Sequence, residues 1–241
     1  MSLIQVSHLT FCYEGSYDPV FENVSFELDT DWKLGFIGRN GQGKTTFLKL
    51  LMGCYDEYEG CISSSVAFDY FPFEVPDPEE MTIEIAQRHS PDLELWKFKR
   101  ELGLLKLSED ALYRPFYTLS NGEQTKVLLS LLFLKENQFL LLDEPTNHLD
   151  QKAKEEIIRY LKSKKGFILV SHDRVLLDQC VDHILSINRA NIEVQKGNFS
   201  SWQRNKELHD QYEREQDTRL KKEIKRMDTA ARRTANWSDQ V

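Results

Sequence analysis

Short apolar runs typical of strands alternate with amphipathic runs typical of helices over the first two hundred residues. The predicted strands are Val20–Leu28, Lys33–Ile37, Cys61–Tyr70, Phe139–Leu142 and Phe167–Val170, followed by a hairpin of His183–Ile187 and Ile192–Gln195. The predicted helices are Thr45–Met52, Thr82–Leu107 with an interruption at Ser90-Pro91, Glu123–Glu136 and Lys152–Lys164. Phe139–Leu142 and Phe167–Val170 are continuously apolar, which is typical of strands covered on both faces. The alternation therefore predicts an α/β domain with a mostly parallel sheet.

The pattern changes after Trp202, where the chain loses its strands. Residues 203–235 contain neither glycine nor proline, and their apolar residues form one narrow stripe at helical spacing. The stripe consists of Leu208, Tyr212, Leu220, Ile224, Met227 and Ala231. A helix of this length measures roughly 50 Å, and a single apolar stripe on a charged rod needs a partner helix. We expect a globular domain over residues 1–202 and a truncated linker helix over residues 203–241.

Charge and composition narrow the function classes. Residues 1–202 carry 21 Lys and Arg against 31 Asp and Glu, whereas residues 203–241 carry 10 against 8. The acidic body argues against general coating of nucleic acid, and the basic tail keeps a local nucleic-acid contact open. The sequence has no signal peptide and no apolar run long enough for a bilayer, so we expect a cytoplasmic protein without membrane contact. The four cysteines form no CxxC pair, so we expect free, buried thiols and no zinc.

A glycine-rich loop carries the strongest chemical signal. The residues Gly38-Arg39-Asn40-Gly41-Gln42-Gly43-Lys44-Thr45 fit the phosphate-loop pattern between a predicted strand and a predicted helix. Glycines let successive backbone N–H groups face phosphates, and the helix N-terminus adds further donors. Lys44 is expected to reach the β- and γ-phosphates, and Thr45 to ligate Mg²⁺. The candidate nucleotide-binding residues here are Gly38, Asn40, Gly41, Gly43, Lys44, Thr45 and Thr46.

Two carboxylates follow the apolar strand Phe139–Leu142. Asp143 stands at its end, where it is expected to hold the Mg²⁺ shell beside a phosphate loop. Glu144 comes next and could orient and deprotonate an attacking water. Taken alone, such a pair is a common way for a strand to end, so its chemical meaning depends on the phosphate loop.

A third motif, Leu119-Ser120-Asn121-Gly122-Glu123-Gln124, opens a predicted helix. Ser120 and Glu123 have capping-box spacing, which accounts for both without a nucleotide. Asn121-Gly122 is not explained that way, since it favours close backbone approach. Together with the two preceding motifs, the segment resembles the ABC ATPase signature, usually written LSGGQ or LSGGE, with Asn121 in place of the first usual glycine.

The resemblance extends over nearly the whole chain. The run Glu144-Pro145-Thr146-Asn147-His148-Leu149-Asp150 resembles the EPTNHLD motif of the ABC-F family, soluble paired ATPases that act on ribosomes. Further matches are the D-loop at Leu149-Asp150, the switch histidine in Ser171-His172-Asp173, an adenine-stacking aromatic at Tyr13, and the segment before the linker at Gly197-Asn198-Phe199-Ser200. The resemblance implies an ABC-type P-loop ATPase domain with antiparallel β elements, a helical subdomain over about residues 80–135, and a long linker helix.

The resemblance also implies the cofactors ATP and Mg²⁺ and a paired architecture. A second ABC domain of the same full-length chain, or a second copy of this one, would close an ATP sandwich to which Ser120, Gly122 and Asp150 contribute. The catalytic residues would be Glu144 and His172, with His172 on the γ-phosphate. Structural alternatives stay open for single residues: Phe11 could be the stacking aromatic, His148 could serve loop geometry, and Asp150 could cap the helix that follows.

One position departs from the ABC pattern. A glutamine that would contact Mg²⁺ and water is expected near residue 73, but Phe73 stands there, and Glu74 is a weak substitute. Leu119 follows only 46 positions after Phe73, which leaves room for a helical subdomain but no inserted arm. Armless ABC-F members resemble the Lsa type, which protects ribosomes from antibiotics. We therefore expect an ATPase that is weak as an isolated domain and reaches ribosomal RNA through its linker. An ABC transporter subunit and a DNA-repair ATPase remain the alternatives.

Overall fold

The computed structural model describes residues 2–188 and 191–238, which fall into two compact units divided between Phe199 and Ser200. The strands are β1 Leu3–Phe11, β2 Phe21–Asp29, β3 Lys33–Ile37, β4 Glu59–Ser64, β5 Ala67–Phe71, β6 Gln138–Asp143, β7 Phe167–Val170, β8 His183–Asn188 and β9 Asn191–Lys196. The α-helices are α1 Lys44–Leu51, α2 Thr82–His89, α3 Leu95–Leu104, α4 Asn121–Leu132, α5 Gln151–Lys162, α6 Arg174–Cys180 and α7 Phe199–Ser238. Short 3₁₀ turns cover Glu109–Tyr113 and Phe116–Thr118.

A six-stranded sheet, ordered β5-β6-β7-β3-β8-β9, forms the centre of the first unit. Its first five strands run parallel, and β9 closes the edge as the antiparallel partner of β8. The predicted α/β class with a mostly parallel sheet is confirmed. Because the strands share one direction, the loops after β3, β6 and β7 leave the sheet at the same edge.

A second, antiparallel sheet is ordered β2-β1-β4 and shares a hydrophobic core with α1 and the central sheet. Phe47 of α1 lies between the two layers, with its ring centre 6.0 Å from that of Phe21 and 5.5 Å from that of Phe36. These three side chains are fully buried. The helix that follows the glycine-rich loop is therefore anchored by aromatic packing, which fixes the position of the loop.

The prediction of one strand over Cys61–Tyr70 is wrong. The chain leaves the antiparallel sheet after β4 and joins the central sheet as β5. The Ser64 hydroxyl donates to the Val66 carbonyl at 2.9 Å and accepts from the Val66 N–H at 3.1 Å, which makes a side-chain-stabilised turn. Three of the four thiols were also wrongly expected to be buried: Cys12, Cys54 and Cys61 are exposed and Cys180 is buried.

Helices α2, α3 and α4 occupy the region between β5 and β6. The break at Ser90 lies where it was predicted, between α2 and α3. Helix α4 begins two residues before the predicted start, because Ser120 caps it: the Ser120 hydroxyl accepts from the Glu123 N–H at 3.3 Å, and the Glu123 carboxylate accepts from the Ser120 N–H at 2.8 Å. This is the capping box that the sequence indicated.

Buried polar contacts join these helices to α5. The Lys126 ammonium of α4 lies 2.6 Å from the Glu156 carboxylate of α5, with side chains 10% and 4% exposed. The Glu101 carboxylate of α3 accepts from the Tyr160 hydroxyl at 2.7 Å and pairs with Lys164. Buried charges are tolerated when they are paired and hydrogen-bonded, so these contacts specify how the helices pack.

The second unit is the remainder of α7, a helix of 40 residues. Five apolar side chains of the predicted stripe are exposed on it: Leu208, Tyr212, Leu220, Ile224 and Met227. The side chain of Ala231 and residues 239–241 lie outside the described part. Over the described residues, none of the helices combines the length and the apolar character that a bilayer span requires.

The Lys126–Glu156 pair gives a prediction about stability. Glu156→Leu should lower the free energy of unfolding by about 3–5 kcal/mol, because it leaves the Lys126 ammonium buried without a partner. The double variant Lys126→Met/Glu156→Leu should recover most of that loss. Lys99→Met, which removes a more exposed pair with Glu109, should leave stability nearly unchanged, because exposed ion pairs contribute little. Urea unfolding of the four proteins measures all three effects, and a double variant as unstable as Glu156→Leu would contradict the account.

Candidate functional site

The glycine-rich loop between β3 and α1 forms one wall of a cavity of about 490 Å³. Gly41 and Gly43 have φ of 80° and 90°, a region that favours glycine. A Cβ on Gly43 would lie 2.4 Å from a methyl carbon of Val20, so this position excludes other side chains. Predicted site residues that line the cavity are Tyr13, Asn40, Gly41, Gly43, Lys44, Thr45, Thr46, Asp143, Glu144 and His172.

Lys44 begins α1 and folds its side chain back over the loop. Its ammonium donates to the Gly38 carbonyl at 2.8 Å and to the Arg39 carbonyl at 3.2 Å. Gly38 therefore contributes a carbonyl to the loop but does not itself line the cavity. Burial lowers the pKa of Lys44 from its usual value, and the nearby carboxylates of Asp143 and Glu144 act in the opposite direction. The loop thus holds the Lys44 ammonium at the cavity wall, where an anionic group of a ligand can pair with it.

Asp143 ends β6 and receives two hydroxyl donors on one carboxylate oxygen. The Tyr70 hydroxyl donates to Oδ2 at 2.8 Å, and the Thr45 hydroxyl donates to the same atom at 3.3 Å. The carboxylate and the Thr45 hydroxyl are hard oxygen donors of the kind that Mg²⁺ prefers, so the residues present fit this ion. Tyr70 was missed in the sequence because one tyrosine at the end of a strand belongs to no motif. Burial raises the pKa of Tyr70, as does its hydrogen bond to Asp143.

Glu144 lies directly after β6 and next to the end of β7. Its Oε2 accepts from the His172 N–H at 3.3 Å and from the Ser171 hydroxyl at 3.4 Å. Its Oε1 is buried, has no hydrogen-bond donor among the described residues, and lies 3.4 Å from Nε2 of His172. A carboxylate oriented through one oxygen, with the other left as an acceptor, is arranged to take a proton.

Tyr13 contributes an aromatic ring to the lining of the same cavity. Its hydroxyl lies 2.5 Å from the Thr46 hydroxyl, and its ring packs edge-on against Phe11 and Tyr55. Tyr13 is 44% exposed, whereas Phe11 is 4% exposed. Of the two candidate stacking aromatics, Tyr13 therefore presents an accessible ring and Phe11 supports it from the core.

Ser120, Gly122 and Asp150 lie apart from this cavity. Together with Asn121 and His148 they line a second cavity of about 660 Å³ at the N-terminal ends of α4 and α5. The Asp150 carboxylate caps α5 by accepting from the Ala153 N–H at 2.7 Å, so the structural alternative for this residue is realised. Apart from Gly38, the predicted site residues therefore form two groups, one on each cavity.

Phe73 occupies the sequence position of the expected glutamine, but its side chain does not substitute for that glutamine at the first cavity. Its ring stacks on the His89 imidazole with centres 4.0 Å apart, and it does not line the first cavity. The side chain from β5 that contacts Asp143 is Tyr70.

Comparison with known proteins shows which family the sequence belongs to. The sequence model of the family described as ABC transporter matches residues 21–147. The chain is 32% identical over 207 residues to the putative ATP-binding protein YdiF of Bacillus subtilis, covering 82% of this chain and 31% of that protein. It is 31% identical over 208 residues to ABC transporter F family member 3 of Arabidopsis thaliana, covering 84% and 29%. The chain thus spans less than a third of these two relatives.

A solved structure shares the fold. It is described as an inward-facing conformation of a putative metal-chelate type ABC transporter, and it superposes with a TM-score of 0.69 at 22% identity. The likeness covers 81% of this chain and 84% of that one. The α/β architecture with a central mostly parallel sheet, an antiparallel sheet and interposed helices is therefore that of an ABC ATPase domain.

The contacts of Lys44 give a prediction about nucleotide binding. Lys44→Ala should weaken ATP affinity at least tenfold, because hydrogen bonds to charged groups contribute about 1.5–3 kcal/mol and tenfold corresponds to about 1.4 kcal/mol. Lys49→Ala, which removes an exposed lysine from the same helix, should leave affinity unchanged. Titration calorimetry measures both, and equal affinity in the two variants would contradict the assignment of the loop.

Proposed function

This chain belongs to the ABC transporter family of ATP-binding domains, and we propose that it is the N-terminal MgATP-hydrolysing domain of an ABC-F protein that acts on the ribosome. The observation that carries the hydrolytic part is the convergence of Lys44, Thr45, Asp143, Glu144 and His172 on one cavity. A cation, a hydroxyl–carboxylate pair and an oriented base at one point are the components that phosphoryl transfer to water needs.

Each of these residues has a distinct role in the proposed reaction. The loop N–H groups and Lys44 bind the phosphates of ATP. Tyr13 stacks on the adenine ring, a contact that contributes about 1–3 kcal/mol. Thr45 and Asp143 hold Mg²⁺, which neutralises charge on the phosphate oxygens when bound. Glu144 orients a water and accepts its proton through Oε1. His172 lies beside that oxygen, where its imidazole can contact the terminal phosphate.

The second group of residues supports a paired architecture. Ser120, Gly122 and Asp150 line a cavity of their own and take no part in the first one. ABC domains work with a second ABC domain, and these residues are available to complete the nucleotide site of that partner. The partner is a second domain of the full-length protein, or a second copy of this chain. ATP binding would then favour the closed pair, and hydrolysis would return it to the open state.

The ribosomal part of the proposal rests on the family resemblance and on the tail. Three of the similar proteins are named as F family or F sub-family members. The α7 segment is a charged helix with a narrow apolar stripe, and its sequence is net basic over residues 203–241. Basic helices suit contact with ribosomal RNA, whose backbone is anionic. We propose that the protein acts on the ribosome in the cytoplasm. In this proposal it has no membrane contact and no zinc module.

The antibiotic-resistance role is the finest step of the proposal. Between β5 and α4 the chain forms α2, α3 and two short turns, with no inserted arm. This fits the armless Lsa type, in which the linker would displace the drug. The alternative with a structural observation in its favour is a transporter ATPase subunit, because the similar solved structure is part of a transporter.

Glu144→Gln tests the catalytic assignment. The substitution keeps the shape of the side chain and removes the base, so ATP should bind normally while turnover falls by about 100-fold or more. Glu155→Gln on the exposed face of α5 serves as the matched control and should hydrolyse ATP at the parent rate. Single-turnover kinetics together with ATP affinity separate the two steps. Parent-level turnover in Glu144→Gln would remove this residue from the mechanism.

Protein concentration tests the paired architecture. Specific ATPase activity of this chain should be low and should rise with its concentration, because two copies must associate to complete a site. Sedimentation with ATP and Glu144→Gln should detect the pair. If a chain that sediments as a monomer turned over ATP at a rate independent of its concentration, the proposed pairing of two domains around ATP would be refuted.

A pelleting experiment tests the ribosomal role and distinguishes the alternative. The full-length protein carrying Glu144→Gln should sediment with ribosomes in the presence of ATP, because the closed state is no longer released by hydrolysis. Omission of ATP should return it to the supernatant. Recovery with membranes instead would favour the transporter subunit.

A further inference from the structure

We propose that Tyr70 is a positioning residue for the magnesium site, where its hydroxyl orients the Asp143 carboxylate. The inference rests on the proposed MgATP hydrolysis and adds a residue to it. Its central observation is the hydrogen bond of 2.8 Å from the Tyr70 hydroxyl to Oδ2 of Asp143.

The register of the central sheet explains why these two side chains meet. Strands β5 and β6 run parallel, with Tyr70 paired to Leu141. Asp143 lies two residues after Leu141, so it projects from the same face of the sheet. The phenol therefore reaches along the sheet to the carboxylate at its edge.

The neighbouring residue fixes the orientation of Tyr70. Asp69 projects from the opposite face of β5, where its carboxylate pairs with the Lys135 ammonium at 2.6 Å. Phe73, further along, is held by its stack on His89. Contacts on both sides of Tyr70 thus anchor the strand end, so the phenol approaches Asp143 from a supported backbone.

The two hydroxyl donors leave a defined part of Asp143 for a cation. Both Tyr70 and Thr45 donate to Oδ2, and the described contacts assign no hydrogen bond to Oδ1. An oriented carboxylate presents its second oxygen in one direction, which is how residues behind a metal ligand tune metal binding. Phe73 has no atom able to do this. Tyr70 therefore provides, from within the strand, the polar contact that the Phe73 position does not provide.

Tyr70→Phe tests the proposal, because it deletes one oxygen and keeps the ring. In EDTA the variant should bind ATP as the parent does. The Mg²⁺ concentration that half-saturates the ATP complex should rise about tenfold, since loss of a contact behind a metal ligand typically weakens metal binding 10–100-fold. Mn²⁺ titration of the ATP complex, followed by electron paramagnetic resonance, should report the same shift without relying on turnover.

Tyr160→Phe is the matched control. It deletes a buried tyrosine–carboxylate hydrogen bond of 2.7 Å to Glu101, away from the cavity. It should leave the Mg²⁺ requirement unchanged. An unchanged requirement in Tyr70→Phe would overturn the positioning role, as would an equal shift in Tyr160→Phe or an equal loss of affinity in EDTA. If the parent chain does not bind MgATP at all, the proposed function fails first and this inference falls with it.

Discussion

The parallel register of β5, β6, β7 and β3 is the constraint on which the rest of the site depends. It makes the strands end at one edge, so that Asp143, the last residue of β6, lies opposite Val170 of β7 and within reach of Thr45 in the first turn of α1. Glu144 then receives the His172 N–H from the loop after β7. A shift of one residue in β6 would send Asp143 to the other face of the sheet. The buried, continuously apolar strands are therefore what positions the polar chemistry.

A second constraint is the attachment of α4 to α5. The Lys126–Glu156 pair fixes one helix against the other beyond their first turns. A Cβ on Gly122 would lie 3.4 Å from that of Ala153, so the two helix starts approach closely. Ser120 and Asp150, which cap these helices, are consequently held on one surface. Capping and ligand contact are compatible here, because a cap uses one side-chain oxygen and leaves backbone groups at the helix start exposed to the cavity.

The sequence predicted the parts of the site that motifs define, and for a physical reason. A phosphate loop needs glycines at fixed spacing, so Gly41 and Gly43 could be assigned before their φ angles were known. Tyr70 could not be assigned, because its role depends on pairing between strands about seventy residues apart in sequence. The change of sheet at Ser64 was missed because residues on both sides of it favour strands. The starts of α1 and α4 differ from the predicted ones by one and two residues, since caps rather than apolar periodicity decide helix ends.

The loop from Glu144 to Asp150 connects the two cavities, and its backbone explains how one could affect the other. Glu144 on the first cavity and His148 on the second have φ of 50° and 61°, which costs about 1–3 kcal/mol for each such residue. Hydrogen bonds support this conformation. The Glu144 N–H donates to the Val170 carbonyl at 2.9 Å, and the Asn147 N–H donates to the Glu144 carbonyl at 3.2 Å. Thr146, in the middle of the loop, is buried. The loop therefore has little room to adjust one end alone. A displacement of Asp150 by the proposed partner domain would have to be absorbed within six residues, the first of which is Glu144, the proposed catalytic base.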